Sequence, residues 1–277
     1  MIVNRSQLRV EREVVNDAAE LEGIAVEAAL AGGEVLRRRF LNRGLFAVEV
    51  KARHDYVTEV DREAEAAVVA VLRRRVPDHG ILAEEGSTGG PQSIYRWIVD
   101  PLDGTTNFIH GVPAFAVSIG LEDPQGLVAG AVHDPCRAET FHARRGGGAF
   151  LNGDRIACTE LDHLDTALIA TGFPFREMTR LPDYLAAFER FVRSTSGLRR
   201  AGSASLDLVY TACGRYDGFF EIGLQPWDLA GGACVVQEAG GIVTDVRGGA
   251  GFLREGSVVA AGSRLHPEML AITRGTL

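Results

Sequence analysis

Residues 97–111 read Trp-Ile-Val-Asp-Pro-Leu-Asp-Gly-Thr-Thr-Asn-Phe-Ile-His-Gly, and this stretch indicates both the fold and the chemistry. The apolar run at 97–99 predicts a buried strand. Pro101 has no backbone N–H to donate, so we expect strand pairing to end at Asp100. The stretch is therefore predicted to run from a buried strand directly into a polar turn.

Two carboxylates and three free amides are predicted to meet at this turn. Asp103 or Thr105 is expected near the cap of a following helix. Asp100 and Asp103 can then converge on one cation, beside the amides of Gly104, Thr105 and Thr106 at the positive end of a helix dipole. A cation next to an anion-binding turn indicates a metal-bridged phosphate. The alternative is an ordinary Asp-Gly turn with Asp103 as a structural cap.

Three further acidic clusters each lie at the end of an apolar segment. They are Asp-Tyr-Val-Thr-Glu-Val-Asp at 55–61, the pair Glu84-Glu85, and Asp228 at the start of a helical stretch. Hydrolysis of a phosphate ester on hard cations needs several carboxylates, because Mg²⁺ takes oxygen ligands. A single acidic pair is more often a solvated surface feature. Together the clusters predict a carboxylate cage.

These motifs resemble those of a known family. Residues 97–111 and 227–241 are similar to the two signature blocks of the inositol monophosphatase family, and 55–61 and 84–85 match its other acidic motifs. The resemblance covers residues 33–262 with the motifs in the expected order. It implies an α+β and α/β fold of the inositol monophosphatase and fructose bisphosphatase type. That fold is a five-layered αβαβα sandwich with the site between two subdomains.

The resemblance also implies a set of metal ligands. Glu84, Asp100 and the backbone carbonyl of Leu102 would hold a first Mg²⁺. Asp100, Asp103 and Asp228 would hold a second, with Asp100 bridging the two. The family binds two or three ions, Mn²⁺ or Ca²⁺ can occupy the same sites, and lithium inhibits at millimolar concentration or below. A bridging carboxylate suits an in-line displacement, because it keeps two cations close to the attacking and leaving oxygens.

The catalytic residues implied are Thr105, Asp61 and Glu84. Thr105, hydrogen-bonded to Asp61, would orient the attacking water, whose acidity the metal supplies. Glu85 would orient the ligands from behind, as such residues commonly do. The scheme needs no serine, cysteine or histidine nucleophile, and it implies no phosphoenzyme.

The implied substrate contacts lie on the first signature block, on the segment 200–204 and at Glu221, seven residues before Asp228 of the second block. Backbone amides would cradle the phosphate and line the polyol or sugar ring, and Glu221 would accept hydrogen bonds from substrate hydroxyls. The alternative for Glu221 is a surface acid at the end of a strand. The implied substrate-binding residues are Gly104, Thr105, Thr106, Gly202, Ser203, Ala204 and Glu221.

The predicted function is Mg²⁺-dependent hydrolysis of myo-inositol monophosphate or a similar polyol or sugar phosphate. The Thr-Thr-Asn reading at 105–107, unlike the Thr-Lys variant of the related histidinol phosphatases and bisphosphate nucleotidases, favours this substrate class. Fructose bisphosphatase activity is the alternative within the family. A non-catalytic role as a partner of the transcription machinery is the alternative from another class, since some similar bacterial proteins have one. The resemblance also implies a homodimer.

Composition narrows the possible partners and location. The 277 residues carry a net charge of −8, which argues against a nucleic-acid-binding surface. The four cysteines show no C-x-x-C spacing, so no zinc site or redox pair is indicated, and we expect each to be buried. Residues 1–15 lack the apolar core of a signal peptide, and no apolar run reaches membrane-spanning length. We expect a cytoplasmic protein with no membrane or nucleic-acid partner.

The pattern along the chain predicts two subdomains, residues 1–153 and 154–277. In the first, helices at 16–39 and 62–75 are expected to pack on an antiparallel sheet. The Asn152-Gly153 pair predicts a hairpin. In the second, strands and helices alternate as in an α/β layer, with strands predicted at 168–171, 198 and 218–221 and helices at 181–192 and 204–212. The strands predicted in the first subdomain are 48–50, 81–83, 97–99, 114–121, 127–133 and 139–143.

Overall fold

The computed structural model describes residues 17–42, 48–52, 55–89 and 93–277. The segment 1–15, predicted to carry no signal peptide, lies outside the described residues. The helices of the described part are α1 Ala18–Leu41, α2 Glu59–Arg75, α3 Thr105–His110, α4 Leu181–Ser194, α5 Ala204–Ala212, α6 Pro226–Glu238, α7 Phe252–Glu255 and α8 His266–Arg274. None of these described helices has both the length and the apolar sequence needed to cross a membrane.

The strands form one large mixed sheet, one smaller mixed sheet and a separate hairpin. The large sheet has the order β10-β9-β8-β7-β6-β5-β3-β4, the small sheet β12-β11-β13-β15-β14, and β1 pairs with β2. The strands are β1 Val48–Ala52, β2 Asp55–Thr58, β3 Gly80–Ala83, β4 Thr88–Gly89, β5 Arg96–Asp103, β6 Ala116–Asp123, β7 Gly126–Asp134, β8 Glu139–Arg144, β9 Gly148–Leu151, β10 Asp154–Ile156, β11 Leu168–Thr171, β12 Gly197–Arg199, β13 Gly218–Ile222, β14 Gly241–Thr244 and β15 Ser257–Gly262.

Two features of the first sheet differ from the prediction. The predicted strand 48–50 is not part of the sheet, because β1 pairs antiparallel with β2 alone. The sheet is also not purely antiparallel. After β3 the chain forms the edge strand β4 and then returns to the other side of β3, so β5 runs parallel to β3.

Alternating strand residues divide the core into layers. Trp97 and Val99 face α1 and α2, whereas Ile98 between them faces the opposite core, which contains α5 and α6. In the small sheet Phe219 joins that same central core, and Phe220 packs with α4 and α8 on the outer face. The order is helices, sheet, helices, sheet, helices, which confirms the predicted five-layered αβαβα sandwich.

Local sequence signals set several element boundaries as predicted. Asn152 and Gly153 have φ values of 50° and 91°, and they form the turn of the β9–β10 hairpin. Because β10 belongs to the first sheet, the proposed boundary between subdomains 1–153 and 154–277 falls within this hairpin.

The burial expected of all four cysteines is wrong for Cys136, which is exposed on the turn after β7, while Cys234 in α6 is buried.

Candidate functional site

A bulge in β5 turns two carboxylates to the same side of the sheet. Asp100 pairs with Ser118 and Asp103 with Ala116, so β5 advances three residues where β6 advances two. In a regular strand, side chains three apart face opposite sides, and the extra residue reverses that alternation. Pairing was predicted to end at Asp100, and this is wrong. The Pro101 region interrupts the ladder, which resumes at Asp103.

A third carboxylate joins this pair from α6. Asp228 lies in the first turn of that helix and accepts a hydrogen bond of 2.8 Å from the amide of Gln225. One carboxylate oxygen from each of Asp100, Asp103 and Asp228 lies within 4.8 Å of the other two, and all three residues are buried. The structure thus brings together three predicted metal ligands from two distant parts of the sequence.

Asp103 is held by the first turn of α5. Its Oδ2 accepts hydrogen bonds from Ser203 Oγ at 2.7 Å, from the Ser205 amide at 2.7 Å and from Ser205 Oγ at 2.5 Å. Asp103 therefore caps a helix of the other half of the chain. The alternative interpretation, in which Asp103 acts as a helix cap, thus agrees with the structure in part. The helix that Asp103 caps is α5 and not the adjacent α3, whose own N-cap is Gly104.

Glu84 and Glu85 lie on a turn that Glu65 of α2 anchors. The Glu65 carboxylate accepts the amides of Glu85 at 2.8 Å and of Ser87 at 3.0 Å. Glu84 lines the same cavity as the three aspartates, whereas Glu85 does not. Arg176 also enters this cluster, with Nη1 3.3 Å from Asp228 Oδ2 and Nη2 3.8 Å from Glu84 Oε1.

The crowding of buried acids raises their pKa values. Burial raises the pKa of Asp100 well above its usual range, and the charges of Glu84, Asp103 and Asp228 raise it further. Burial raises the pKa of Asp228 to about 6, against the lowering effect of Arg176. Burial also raises the pKa of Asp103, although hydrogen bonds from Ser205 and Ser203 oppose this. The ionised cluster is unfavourable by itself, and a bound cation would stabilise it.

The short helix α3 begins beside these carboxylates. Gly104 has a φ of 96°, and a Cβ there would lie 2.9 Å from the Ala114 carbonyl oxygen, so the turn requires glycine. Thr105 Oγ1 lies 3.0 Å from both Asp61 Oδ1 and the Leu102 carbonyl oxygen. Asp61 itself sits in the first turn of α2, behind the cavity lining.

One cavity of about 520 Å³ is lined by all seven predicted substrate-binding residues. Asn107 joins two segments beside this cavity, because its Nδ2 donates to the Ala114 carbonyl at 2.7 Å and to the Ala201 carbonyl at 2.9 Å. Glu221 also lines the cavity, and burial raises its pKa to about 8 against the lowering effect of Arg200. The predicted residues that line the cavity are Glu84, Asp100, Leu102, Asp103, Gly104, Thr105, Thr106, Gly202, Ser203, Ala204, Glu221 and Asp228.

The donor set matches a hard divalent cation. The candidate ligands are carboxylates and one backbone carbonyl, which are the oxygen ligands that Mg²⁺ prefers. Among the described residues, Asp100, Asp103 and Asp228 are the group with metal-binding geometry. The residues present therefore fit Mg²⁺ in chemistry and in placement.

Three residues of the site were missed from the sequence. Arg176 gave no signal, because an arginine in a loop is usually solvated. Ser205 could have been suspected, since serines at a helix start commonly bond to terminal groups. Asp207 is a buried acid within an apolar helix, and its Oδ1 has no hydrogen-bond partner among the residues that the structure describes. Burial and the charges of Glu221 and Asp103 raise its pKa well above the usual value.

Comparison with known proteins places the chain among characterised relatives. It is 48% identical over 252 residues to the Nus factor SuhB of Pseudomonas aeruginosa, covering 89% of this chain and 93% of that protein. The crystal structure of the extragenic suppressor protein suhB from Bartonella henselae superposes with a TM-score of 0.89 at 39% identity, covering 93% and 100% of the two chains.

An inositol monophosphatase from Anabaena (Nostoc) superposes with a TM-score of 0.84 at 36% identity, covering 95% of this chain and 98% of that one. The model of the inositol monophosphatase family matches residues 17–276. That match covers nearly the whole chain and includes each of the acidic motifs. The chain therefore belongs to the inositol monophosphatase family.

Proposed function

We propose that the protein is a Mg²⁺-dependent phosphomonoesterase that acts on myo-inositol monophosphate or a similar polyol or sugar phosphate. The observation that carries the proposal is the cluster of Asp100, Asp103 and Asp228, whose oxygens lie within 4.8 Å of one another. The cluster lines one cavity with the glycine turn before α3. Membership of the inositol monophosphatase family supports the same activity.

The proposed ligands divide between two ions. Glu84, Asp100 and the Leu102 carbonyl serve one, and Asp100, Asp103 and Asp228 serve the other. When bound, Mg²⁺ lowers the pKa of a coordinated water and stabilises the charge that develops on the leaving oxygen. We propose that two or three ions bind, and Mn²⁺ or Ca²⁺ can substitute at the same oxygen donors.

Thr105 and Asp61 are proposed to hold the proton of the attacking water. The Thr105 hydroxyl has a single proton and two acceptors at equal distance, Asp61 Oδ1 and the Leu102 carbonyl oxygen. If it donates to Asp61, its lone pairs face the cavity and accept from the water. A threonine is too weak a base alone, and the buried carboxylate of Asp61 makes it a better acceptor.

The substrate is proposed to lie between the two walls of the cavity. The phosphate would contact the amides of Gly104, Thr105 and Thr106, and the ring would face the backbone of 202–204. Glu221, which lines the same cavity, is proposed to bind ring hydroxyls. About 520 Å³ accommodates a monosaccharide-sized phosphate, since ligand pockets commonly span ~300–1,000 Å³. Fructose bisphosphatase activity is the alternative within this site.

A role in transcription is the second candidate function. It is favoured by the relatives named Nus factor SuhB, such as that of Pseudomonas aeruginosa at 48% identity. The two roles are separable, because catalysis requires the acidic cluster and a binding surface does not. A pull-down of transcription-machinery proteins with wild type and with Asp100→Asn tests this second role. Capture of the same proteins by both variants supports it. A homodimer and the absence of nucleic-acid partners remain predictions.

A phosphate-release screen tests the proposed activity. Purified protein is assayed with Mg²⁺ against inositol monophosphates, sugar phosphates, fructose 1,6-bisphosphate and nucleotide bisphosphates, each with and without chelator. We expect Mg²⁺-dependent turnover of a polyol or sugar phosphate. Asp162→Asn is a matched control, because this acid is exposed and forms a surface ion pair with Arg264. Activity that survives exhaustive chelation, or a trapped phosphoenzyme, would refute the mechanism.

A further inference from the structure

The first turn of α5 holds one oxygen of Asp103 with three donors. Two of the three come from Ser205, its amide at 2.7 Å and its hydroxyl at 2.5 Å, and the third is the Ser203 hydroxyl at 2.7 Å. Both serines are almost completely buried. A carboxylate offers about four acceptor positions over its two oxygens. These bonds fill the acceptor positions of Oδ2, so we expect a cation to bind through Oδ1.

We propose that Ser205 is a positioning residue for cation binding, acting through Asp103. Its hydroxyl and amide fix the rotation of the Asp103 carboxylate, which keeps one of its oxygens within 4.8 Å of oxygens of Asp100 and Asp228. The proposal rests on the proposed function, since it takes Asp103 as a cation ligand.

The N-terminus of helix α5 directs its hydrogen-bond donors to the Asp103 carboxylate. Ser203 occupies the N-cap position, yet its side chain makes no capping bond to its own helix and donates to Asp103 instead. The amide of Ser205, which a local cap would usually satisfy, also donates to Asp103. The positive end of the helix stabilises the negative charge of the bound carboxylate.

This arrangement couples cation binding to the substrate wall. Asp103 comes from β5, whereas the residues before α5 form the wall of the cavity at 202–204. Asn107 fixes the same segment from the other side through the Ala201 carbonyl. If the Asp103 carboxylate rotated freely, its oxygens would no longer be oriented for a cation. The same rotation would break its hydrogen bonds to the start of α5. Ser205 therefore supports both parts of the site through one contact.

Calorimetric titration of Mg²⁺ into metal-stripped protein tests the proposal without any turnover. Ser205→Ala removes the hydroxyl and keeps the amide, and loss of such a supporting contact typically weakens metal binding by ~10–100-fold. Thr211→Val is the matched control, because it removes a buried hydroxyl from the same helix, where it donates only to the Asp207 carbonyl. Thermal unfolding of the metal-stripped proteins measures the stability change of each variant.

We expect Mg²⁺ affinity to fall about tenfold in Ser205→Ala and to stay within about twofold of wild type in Thr211→Val. Wild-type affinity in Ser205→Ala, or an equal loss in both variants, would overturn the positioning role. If wild type itself binds no Mg²⁺, the proposed function fails, which is a distinct result. Should Ser205→Ala not fold, Ser205→Cys, a side chain of similar size with a weaker donor, takes its place in the same titration.

Discussion

Asp61 connects the stability of α2 to the chemistry of the cavity, and Asp61→Asn separates the two. Oδ2 accepts from the Thr58 amide at 2.9 Å and the Thr58 hydroxyl at 2.6 Å, completing the capping box of α2. Oδ1 accepts from Thr105 Oγ1 at 3.0 Å. Asparagine has the same shape but only one accepting oxygen, so it keeps one of these two functions at most.

Loss of the helix cap and loss of the contact with Thr105 should change stability and turnover by very different amounts. Loss of a helix cap costs about 1 kcal/mol, which lowers Tm by roughly 2–4 °C for a chain of this size. Loss of an acceptor that assists proton transfer lowers turnover by ~10²–10⁴-fold. We therefore expect Asp61→Asn to lose far more activity than stability. Because burial raises the pKa of Asp61, wild-type activity should also fall on acidification at a pH above the ordinary aspartate pKa.

Thr58→Val is the control for this experiment. It removes the hydroxyl that donates to Asp61 Oδ2 and accepts from the Val60 amide, and it leaves Asp61 Oδ1 and Thr105 in place. Its Tm should fall by a similar few degrees while kcat stays close to wild type. Turnover and thermal unfolding are measured on both variants. Equal activity losses in Asp61→Asn and Thr58→Val would refute a direct role for Asp61.

Two further predictions concern lithium and a buried acid. Li⁺ carries half the charge of Mg²⁺ among the same carboxylate oxygens, so LiCl on the order of millimolar should lower kcat more than substrate affinity. The inhibition should weaken in Asp228 variants. Equal rates in LiCl and NaCl up to tens of millimolar would contradict this prediction. Asp207→Asn should raise stability by about 1–3 kcal/mol at pH 7, since it removes a buried carboxyl whose charged form is disfavoured by burial and by the charges of Glu221 and Asp103. The pKa of Asp207 is raised in the fold, so wild type loses stability as pH rises above the unfolded value of ~3.9, and chemical denaturation from pH 4 to 8 should show a smaller loss in the variant.

Elements with strong local patterns were predictable from the sequence. Strand β11 and helix α5 have the bounds expected, and α1 and α4 differ from the predictions by two residues or fewer at the described ends. The periodicity of apolar residues and the turn residues at Asn152-Gly153 carry this information within a few neighbouring positions. The β1–β2 hairpin is local, with Ala52 paired to Asp55, but no local pattern shows that it stays outside the large sheet. The parallel pairing of β3 with β5 joins more distant residues, such as Gly80 and Arg96, and is likewise not encoded locally.

The candidate site also has a part that the sequence predicts and a part that only the folded structure shows. Asp100, Asp103 and Asp228 were identified because they stand in recognisable motifs. Their convergence depends on the bulge after Asp100, and the proline that signals it was read as the end of pairing. The contact between Asp103 and Ser205 joins residues about a hundred positions apart, so only the folded structure shows that one carboxylate caps a distant helix.

The dependence of phosphate release on Mg²⁺ in wild type and Asp228→Asn tests the central claim most directly. The account predicts that wild-type turnover rises with Mg²⁺ and is abolished by chelation. Asp228→Asn should retain less than about a tenth of the wild-type rate, because a neutral amide holds the cation poorly. The exposed control Asp162→Asn should remain at wild-type rate. A tenth or more of wild-type turnover in Asp228→Asn would show that Asp100, Asp103 and Asp228 do not form the catalytic metal site.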